Sequence, residues 1–183
     1  MPNVFRDPCN CHRRLISVAF KATGDWNCLR DYWARTTPNP GYKPVDYPGL
    51  PMKTEEYQKA LEEAQKYLGN SYLWGGKVPP YFDCSGYVSW CYKIGGIFEN
   101  SGLGTDAIFE LCEKVEESES FQGDLCFWGI HTGSAHVAIY IGNGYILDSS
   151  GGGVGYHLRS YHDSVVTFNG YYRVIGHNPK GEL

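Results

Sequence analysis

Residues 81–96 read YFDCSGYVSWCYKIGG, and this stretch predicts both a buried helix and a reactive thiol. Its apolar side chains favour a buried helix that begins after Asp83 and ends within residues 94–96. Asp83 can cap that helix, so Cys84 is its first residue. The positive end of a helix dipole lowers the pKa of a thiol, which makes Cys84 a candidate nucleophile. Gly86 leaves backbone close to this thiol for a substrate carbonyl and its oxyanion.

A second helix precedes this one, and a third follows it. Thr54 offers an N-cap, acidic residues follow it, and apolar residues recur at helical spacing until Gly69. The third helix is expected to start at Thr105 or Asp106. Its apolar side is Ile108, Leu111, Cys112 and Val115. Its glutamates are expected to form a solvated face: Glu110, Glu113, Glu116, Glu117 and Glu119.

Beyond Gly123 the pattern changes to alternation or to short apolar runs, which are typical of strands. The expected strands are 125–128, 136–141, 145–148, 165–168 and 171–175. Helices first and strands afterwards, without alternation between them, predict an α+β fold in which helices pack on an antiparallel sheet.

Composition bounds the classes of protein to consider. The chain has 183 residues, 42% of them hydrophobic, which is enough to build a core without disulfides or metals. A net charge of -4 disfavours nucleic acid as a partner. No apolar run approaches the roughly 20 residues that cross a bilayer, and the first residues lack a signal-peptide pattern. Seven cysteines cannot all pair, so we expect reduced thiols.

Among the six histidines, His136 is the one that begins a strongly apolar strand, where its ring would point into a cleft. A strand-start histidine and a helix-start cysteine together suggest a catalytic pair. The cysteines inside apolar runs are expected to be structural: Cys91, Cys112 and Cys126. The other histidines are expected at the surface: His12, His131, His157, His162 and His177.

Three cysteines and a histidine near the start of the chain could bind zinc. The set is Cys9, Cys11, His12 and Cys28. Its Cys-x-Cys spacing is tighter than zinc sites normally use, so we expect no metal and no cofactor.

Four blocks resemble the NlpC/P60 cysteine peptidases in their usual order: residues 72–76, 82–88, 123–125 and 136–144. The resemblance covers about residues 55–175 and implies a papain-like α+β domain that hydrolyses bacterial peptidoglycan, typically next to D-glutamate. It implies that Cys84 is the nucleophile, His136 the general base and Asp148 the residue that orients the imidazole. Family members often have histidine at the third place.

The resemblance also implies a substrate site at Tyr72, Asp83 and Ser85, to which the backbone at Gly86 is added on chemical grounds. Asp83 and Tyr72 would offer a carboxylate and a phenol to a free amino terminus. The alternative for these two residues is a helix cap and a packed ring.

Residues 1–51 are expected to be an N-terminal extension with a proline-rich linker, and residues 52–183 the catalytic domain. The expected function is a cysteine endopeptidase acting on wall stem peptides. Two alternatives stay open: an N-acetylmuramoyl-L-alanine amidase with the same triad, or an inactive wall-binding or virion module. A wall-lytic domain without a signal peptide suggests a phage lysin, monomeric, made in the host cytoplasm or carried in the virion.

Strand parity tests the proposed triad. If Asn143 and Gly144 formed a two-residue type I′ turn with regular pairing, Ile139 would oppose Asp148 and His136 would lie on the wrong face. We therefore expect a three-residue loop over residues 142–144 with a bulge at Gly144, which places Ala138 opposite Asp148.

Overall fold

The computed structural model describes residues 46–133 and 135–181. Within them the helices are α1 (Glu55–Gln65), α2 (Cys84–Gly95) and α3 (Thr105–Phe109). The strands are β1 (Lys77–Val78), β2 (Tyr81–Phe82), β3 (Cys112–Val115), β4 (Leu125–Trp128), β5 (His136–Gly142), β6 (Tyr145–Ser150), β7 (Gly153–Leu158) and β8 (Phe168–Val174). Short 3₁₀ helices lie at Glu117–Glu119 and Arg159–His162.

The sheet confirms the predicted α+β class. Six strands pair in the order β3-β8-β4-β5-β6-β7, with antiparallel neighbours throughout, and β1 and β2 form a separate small hairpin. Helices α1 and α2 pack against each other, and α2 also contacts β5 and β6. None of the helices in the described part of the chain has the length and apolar character needed to span a membrane.

Helix α2 begins and ends as the sequence predicts. Asp83 is its N-cap, and its side chain accepts a hydrogen bond from the backbone N–H of Gly86. Gly96 ends the helix in the left-handed conformation, which glycine adopts without steric cost. This helix is buried over most of its length, with Tyr87 and Val88 fully inaccessible.

Helix α1 begins at the predicted place, directly after Thr54, although the threonine side chain makes no capping bond. It ends at Gln65, about one turn before the predicted stop, and residues 66–69 form turns. Glu63 joins α1 to α2, since its buried carboxylate accepts hydrogen bonds from Trp90 Nε1 and Tyr67 Oη.

The prediction of a long third helix was wrong. Helix α3 has five residues, and Cys112–Val115 form edge strand β3, whose residues pair with β8 from Cys112 opposite Val174 onward. The spacing of apolar residues here is compatible with a helix or with a strand. The free edge of β8 offers backbone hydrogen bonds to these residues, and this pairing stabilises the strand. The five glutamates are exposed, as predicted.

Strands β4, β5 and β6 lie where the sequence predicts them, whereas β7 and β8 differ. Strand β7 was not predicted, because the glycine-rich segment GGGVGYHL at 151–158 has little strand character of its own. Strand β8 is one continuous strand from Phe168, and Val165 is 82% exposed in a turn before it.

The two faces of the sheet carry different apolar clusters. Alternate residues such as Phe127, Val137 and Leu147 face α1 and α2 and build the main core. The intervening residues Trp128, Ala138 and Ile146 belong to a second cluster. By this alternation, His136 and Asp148 share a face with Ala138 and Ile146.

The turn between β5 and β6 differs from the expected one. Asn143 and Gly144 both have positive φ and Gly142 pairs with Tyr145, as in a two-residue type I′ hairpin, so the three-residue loop was wrong. An extra residue on β5, Ile141, then shifts the register, and Ile139 pairs with Leu147. Counting one step further places Ala138 opposite Asp148, as predicted, because of a bulge on β5 before the turn.

Residues 46–51, the end of the segment expected to be a linker, lie against the sheet. The N–H of Leu50 donates to Ile141 O at 2.7 Å, and Asn143 donates to Pro48 O. Tyr47 packs edge-on against Tyr156. The boundary between an extension and a catalytic domain stays a prediction.

Candidate active site

Cys84 is the first residue of α2 and is 7% exposed. Its Sγ lies 3.8 Å from Thr105 Oγ1. Hydrogen bonding from His136 and from the backbone N–H of Val137 lowers the pKa of this thiol. The thiol thus meets an imidazole, a backbone N–H and the positive end of a helix dipole, three groups that favour a thiolate.

The third member of the predicted triad lies behind the imidazole. His136 Nε2 is 2.7 Å from Asp148 Oδ2, which leaves Nδ1 as the ring nitrogen that faces Cys84. Asp148 is fully buried and His136 nearly so. The structure therefore brings Cys84, His136 and Asp148 together in the order thiol, imidazole, carboxylate, the arrangement that nucleophilic catalysis uses.

The protonation states follow from these contacts. Burial alone would raise the pKa of Cys84, but the hydrogen bond and charge of His136 outweigh it and lower that pKa below the ordinary thiol value. Burial would lower the pKa of His136, whereas its hydrogen bonds to Asp148 and Cys84 raise it to about 10. Both shifts favour the ion pair of a thiolate and an imidazolium over the neutral pair of a thiol and an imidazole.

Asp148 has two further histidine partners. Its Oδ1 lies 2.7 Å from His157 Nδ1, and its Oδ2 lies 2.8 Å from His162 Nε2. Burial would raise the pKa of Asp148, but the hydrogen bonds from all three histidines hold it well below its usual range. The placement of His157 and His162 among surface residues was wrong, because the sheet and the second 3₁₀ helix turn both rings inward onto one carboxylate.

Some sequence signal for His157 existed, but none for His162. If β7 had been recognised as a strand, parity would have placed His157 on the same face as Gly155, the residue opposite Asp148. His162 lies in a 3₁₀ helix, which has no strand parity to follow.

The residues predicted to bind substrate lie at the start of α2. Asp83 Oδ1 accepts hydrogen bonds from Gly86 N at 2.6 Å, Lys77 Nζ at 2.9 Å and Ser85 Oγ at 3.1 Å. Lys77 Nζ also donates to Ser85 Oγ and to Leu103 O. The ammonium of Lys77 thus has three acceptors, and it neutralises the carboxylate that was expected to meet a substrate amine.

Gly86 is required by packing. A Cβ at this position would lie 2.1 Å from Gly76 O and 3.0 Å from Lys77 Cα. The missing side chain lets the β1 segment lie directly on the first turn of α2. Tyr72 lies beside Phe82 through an isolated β-bridge, close to the same end of α2. A substrate-binding role for these residues stays a prediction.

The other predicted residues fall in three groups. Cys91 and Cys126 are fully buried and Cys112 half-buried, and burial raises the pKa of each thiol, that of Cys112 to about 12. The side chain of His131 is 66% exposed, while that of His177 is half-buried against Glu56. The candidate zinc set, Cys9, Cys11, His12 and Cys28, lies outside the described residues.

Within the described part of the chain, His136, Asp148 and His162 place possible metal ligand atoms within 4.8 Å of one another. The N···O separations of 2.7 and 2.8 Å are hydrogen-bond lengths. Two ligands of one tetrahedral zinc ion, bound at about 2.0–2.2 Å, would lie about 3.3 Å apart. The N···O separations therefore fit hydrogen bonds between these side chains rather than ligands of one metal ion.

Comparison with known proteins identifies the family. The model of the NlpC/P60 family matches residues 69–169, more than half of the chain and the part that contains all three residues of the predicted triad. The chain belongs to the NlpC/P60 family. This membership confirms the resemblance found in the four sequence blocks.

Two similar proteins and one solved structure agree with this family membership. The chain is 44% identical to a probable endopeptidase p60 of Listeria seeligeri over 96 residues, which are 52% of this chain and 18% of that protein. It is 38% identical over 119 residues to the bifunctional muramidase/DL-endopeptidase CwlT of Bacillus subtilis, covering 61% of this chain and 36% of that one. A lipoprotein-like NLP/P60 family structure from Staphylococcus aureus superposes with a TM-score of 0.58 at 30% identity, covering 73% of this chain and 46% of the other.

The chain thus spans about a fifth to a third of the length of these two curated relatives. The family-model match over residues 69–169 includes the helix start at Cys84 and strands β4 to β7.

Proposed function

We propose that this chain is a peptidoglycan endopeptidase that hydrolyses a stem-peptide bond next to D-glutamate through the thiolate of Cys84. The observation that carries the proposal is the contact chain from Cys84 through His136 to Asp148, built at a helix start and on two neighbouring strands. Family membership supports it, as do relatives named as endopeptidases, one of them a DL-endopeptidase.

The proposed reaction has two steps. The thiolate sulfur of Cys84 attacks the carbonyl carbon of the scissile bond while the imidazolium of His136 gives its proton to the leaving amine, which departs and leaves a thioester. Water then attacks the thioester, His136 takes a proton from that water, and the thiolate of Cys84 leaves. Asp148 keeps the imidazole oriented through both steps.

The position of the thiol supports this role over a purely structural one. A structural cysteine in an apolar core has a raised pKa, as Cys91 and Cys126 have, whereas the pKa of Cys84 is lowered despite its burial. A wall-binding module without activity would have no use for a buried carboxylate, an imidazole and a thiol in line.

Mass spectrometry of the fragments released from purified sacculi tests the proposal. We expect cleavage within the stem peptide by the wild type and none by Cys84→Ala, with Cys91→Ala as the control that keeps the nucleophile. Release of intact stem peptides from muramic acid would instead identify an amidase. Equal release by the wild type and Cys84→Ala would rule out a cysteine mechanism, since loss of such a nucleophile costs orders of magnitude in rate.

A further inference from the structure

Asp148 is the meeting point of three imidazoles from three different elements. His136 comes from β5, His157 from β7 and His162 from the 3₁₀ helix that follows β7. All three rings lie 2.7–2.8 Å from the carboxylate, which is itself fully buried. Such a buried carboxylate is stable only when donors replace its lost water.

The sheet register makes room for two of these rings. Asp148 lies opposite Gly155 on β7 and, by the register of β5 with β6, opposite Ala138. Both opposing residues are small. The side chain of His136, two residues from Ala138 on β5, and that of His157, two residues from Gly155 on β7, can therefore extend over them towards the carboxylate. Diagonal neighbours in a sheet lie up to about 7–8 Å apart, a gap that an imidazole and a carboxylate can bridge.

The third ring is held by an anchored 3₁₀ helix. Buried Trp128 donates from Nε1 to Asp163 Oδ1 at 2.9 Å, directly after that helix, and the carboxylate of Asp163 also binds Arg159. The indole contacts the ring of His162 at 5.3 Å between centroids, and the rings of His162 and His136 lie 4.1 Å apart. His162 is therefore packed against both the indole and the imidazole of His136, and these two rings also contact each other at 5.6 Å.

We propose that His157 and His162 are positioning residues for the proposed hydrolase, which hold the carboxylate of Asp148 ionised and aimed at Nε2 of His136. The expected effect on kcat rests on the proposed function. The expected hydrogen bonding of Asp148 rests on the geometry alone. His157 fixes Oδ1, and His162 shares Oδ2 with His136, so neither oxygen can rotate away without breaking a hydrogen bond.

Loss of one donor has a defined consequence. A buried carboxylate with fewer donors either takes a proton or turns towards the remaining ones, and in both cases it stabilises the imidazolium of His136 less well. The titratable groups that face one another here are the residues of the proposed triad, the two positioning histidines and Tyr161, whose ring stacks on that of His157 at 4.2 Å and lies edge-on to that of His162 at 4.8 Å. The charge of Asp83 also acts on Cys84. Asp163 forms an ion pair with Arg159 and also accepts the hydrogen bond from Trp128 Nε1.

Amide substitutions test the proposal because glutamine and asparagine place their N–H₂ groups differently. The amide of glutamine reaches about as far as Nε2 of histidine, and that of asparagine about as far as Nδ1. His162→Gln and His157→Asn therefore keep a donor in place, whereas His162→Asn and His157→Gln misplace it. His131→Gln on the exposed surface is the matched control.

We expect His162→Asn and His157→Gln to lower kcat on wall peptides about ten- to hundredfold, with KM changed less than about threefold. His162→Gln and His157→Asn should recover most of that loss. Alkylation of Cys84 by iodoacetamide, followed by peptide mapping, gives the pH at which the alkylation rate of the thiol rises. In the two variants with a misplaced donor, His162→Asn and His157→Gln, this inflection should move to higher pH. A merely structural role would lower the melting temperature without moving that inflection. Equal kcat and equal inflections in all four variants would overturn the proposal.

A measurement on the wild type covers the case in which a variant does not fold. In ¹⁵N NMR of the histidine-labelled protein, we expect His157 as the Nδ1–H tautomer and His162 as the Nε2–H tautomer, both in slow exchange with solvent. The opposite tautomer at His157 would exclude its donation to Asp148. Alkylation and NMR need no substrate, so failure of the wild type to cleave sacculi would refute the proposed function and leave this test standing.

Discussion

His136 and Asp148 lie diagonally across β5 and β6, and their side chains are joined by a hydrogen bond of 2.7 Å between Nε2 and Oδ2. This bond directs Nδ1 of the imidazole to the thiol of Cys84. It exists because a bulge at Ile141 moves Ala138, rather than Ile139, into the place opposite Asp148.

Asp148→Asn should therefore reduce kcat/KM by about 10²- to 10⁴-fold, since a neutral amide stabilises the imidazolium poorly and presents an N–H₂ group to histidine donors. Steady-state kinetics on muropeptides, with circular dichroism to confirm folding, measures the effect. Asp46→Asn, at an exposed position, is the control and should cost far less. A loss below fivefold for Asp148→Asn would leave only a dyad of Cys84 and His136.

The activity should depend on pH through the thiolate and imidazolium pair. We expect kcat/KM to rise with pH at values below the ordinary thiol pKa of about 8.5, because the pKa of Cys84 is lowered, and to fall as His136 loses its proton near pH 10. Rates measured from pH 4 to 11 test both limbs. A single rise near pH 8.5 would mean that the thiol titrates without its partner.

The same pair should make the stability of the fold pH dependent. The pKa of His136 is raised to about 10, so its contribution to the free energy of unfolding is complete below the unfolded value of about 6.5 and is lost as the pH rises through about 10. The pKa of Asp148 is lowered, so its contribution is present above about 4 and is lost as the pH falls towards the folded pKa. Urea titrations of the wild type and His136→Gln at pH 7 and 10.5 should show a smaller pH effect in the variant, which lacks the imidazole that titrates near pH 10.

Lys77 should decide how the site treats a substrate amine. Because its ammonium already neutralises Asp83, we expect free and N-acetylated L-Ala-γ-D-Glu peptides to be cleaved at rates within about threefold. Lys77→Met keeps the aliphatic stem and removes the charge, and should favour the free amine by about tenfold, the effect of one charged hydrogen bond. Lys59→Met, on the exposed side of α1, is the control. A strong preference of the wild type for the free amine would show that Asp83 still binds it.

Gly86→Ala should destabilise the fold by at least about 3 kcal/mol, because the new Cβ would lie 2.1 Å from Gly76 O, and backbone on both sides leaves little room to relax. Thermal melting checks this expectation. Gly104→Ala, where a Cβ meets nothing within 4 Å, is the matched control and should change the melting temperature little. Equal melting temperatures for both variants would mean that β1 is free to move away from α2.

The sequence by itself determined the parts that depend on local chemistry. The cap at Asp83 and the apolar run after it predicted α2 and placed Cys84 at its start. Alternation or short apolar runs predicted β4, β5 and β6. These signals lie within a few residues of the structures they specify. The family blocks added the three triad positions, which the structure brings together.

The tertiary structure decided what depends on partners far along the chain. Strand β3 formed instead of a helix because β8, more than fifty residues later, offered a free edge. The register of His136 against Asp148 depends on a bulge at Ile141, a feature with no distinctive local sequence. His162 reached Asp148 only because Trp128 holds the turn at Asp163, 35 positions away. Local propensities cannot predict such long-range contacts. Each of them depends on the free energy of packing between elements that come together only when the chain folds.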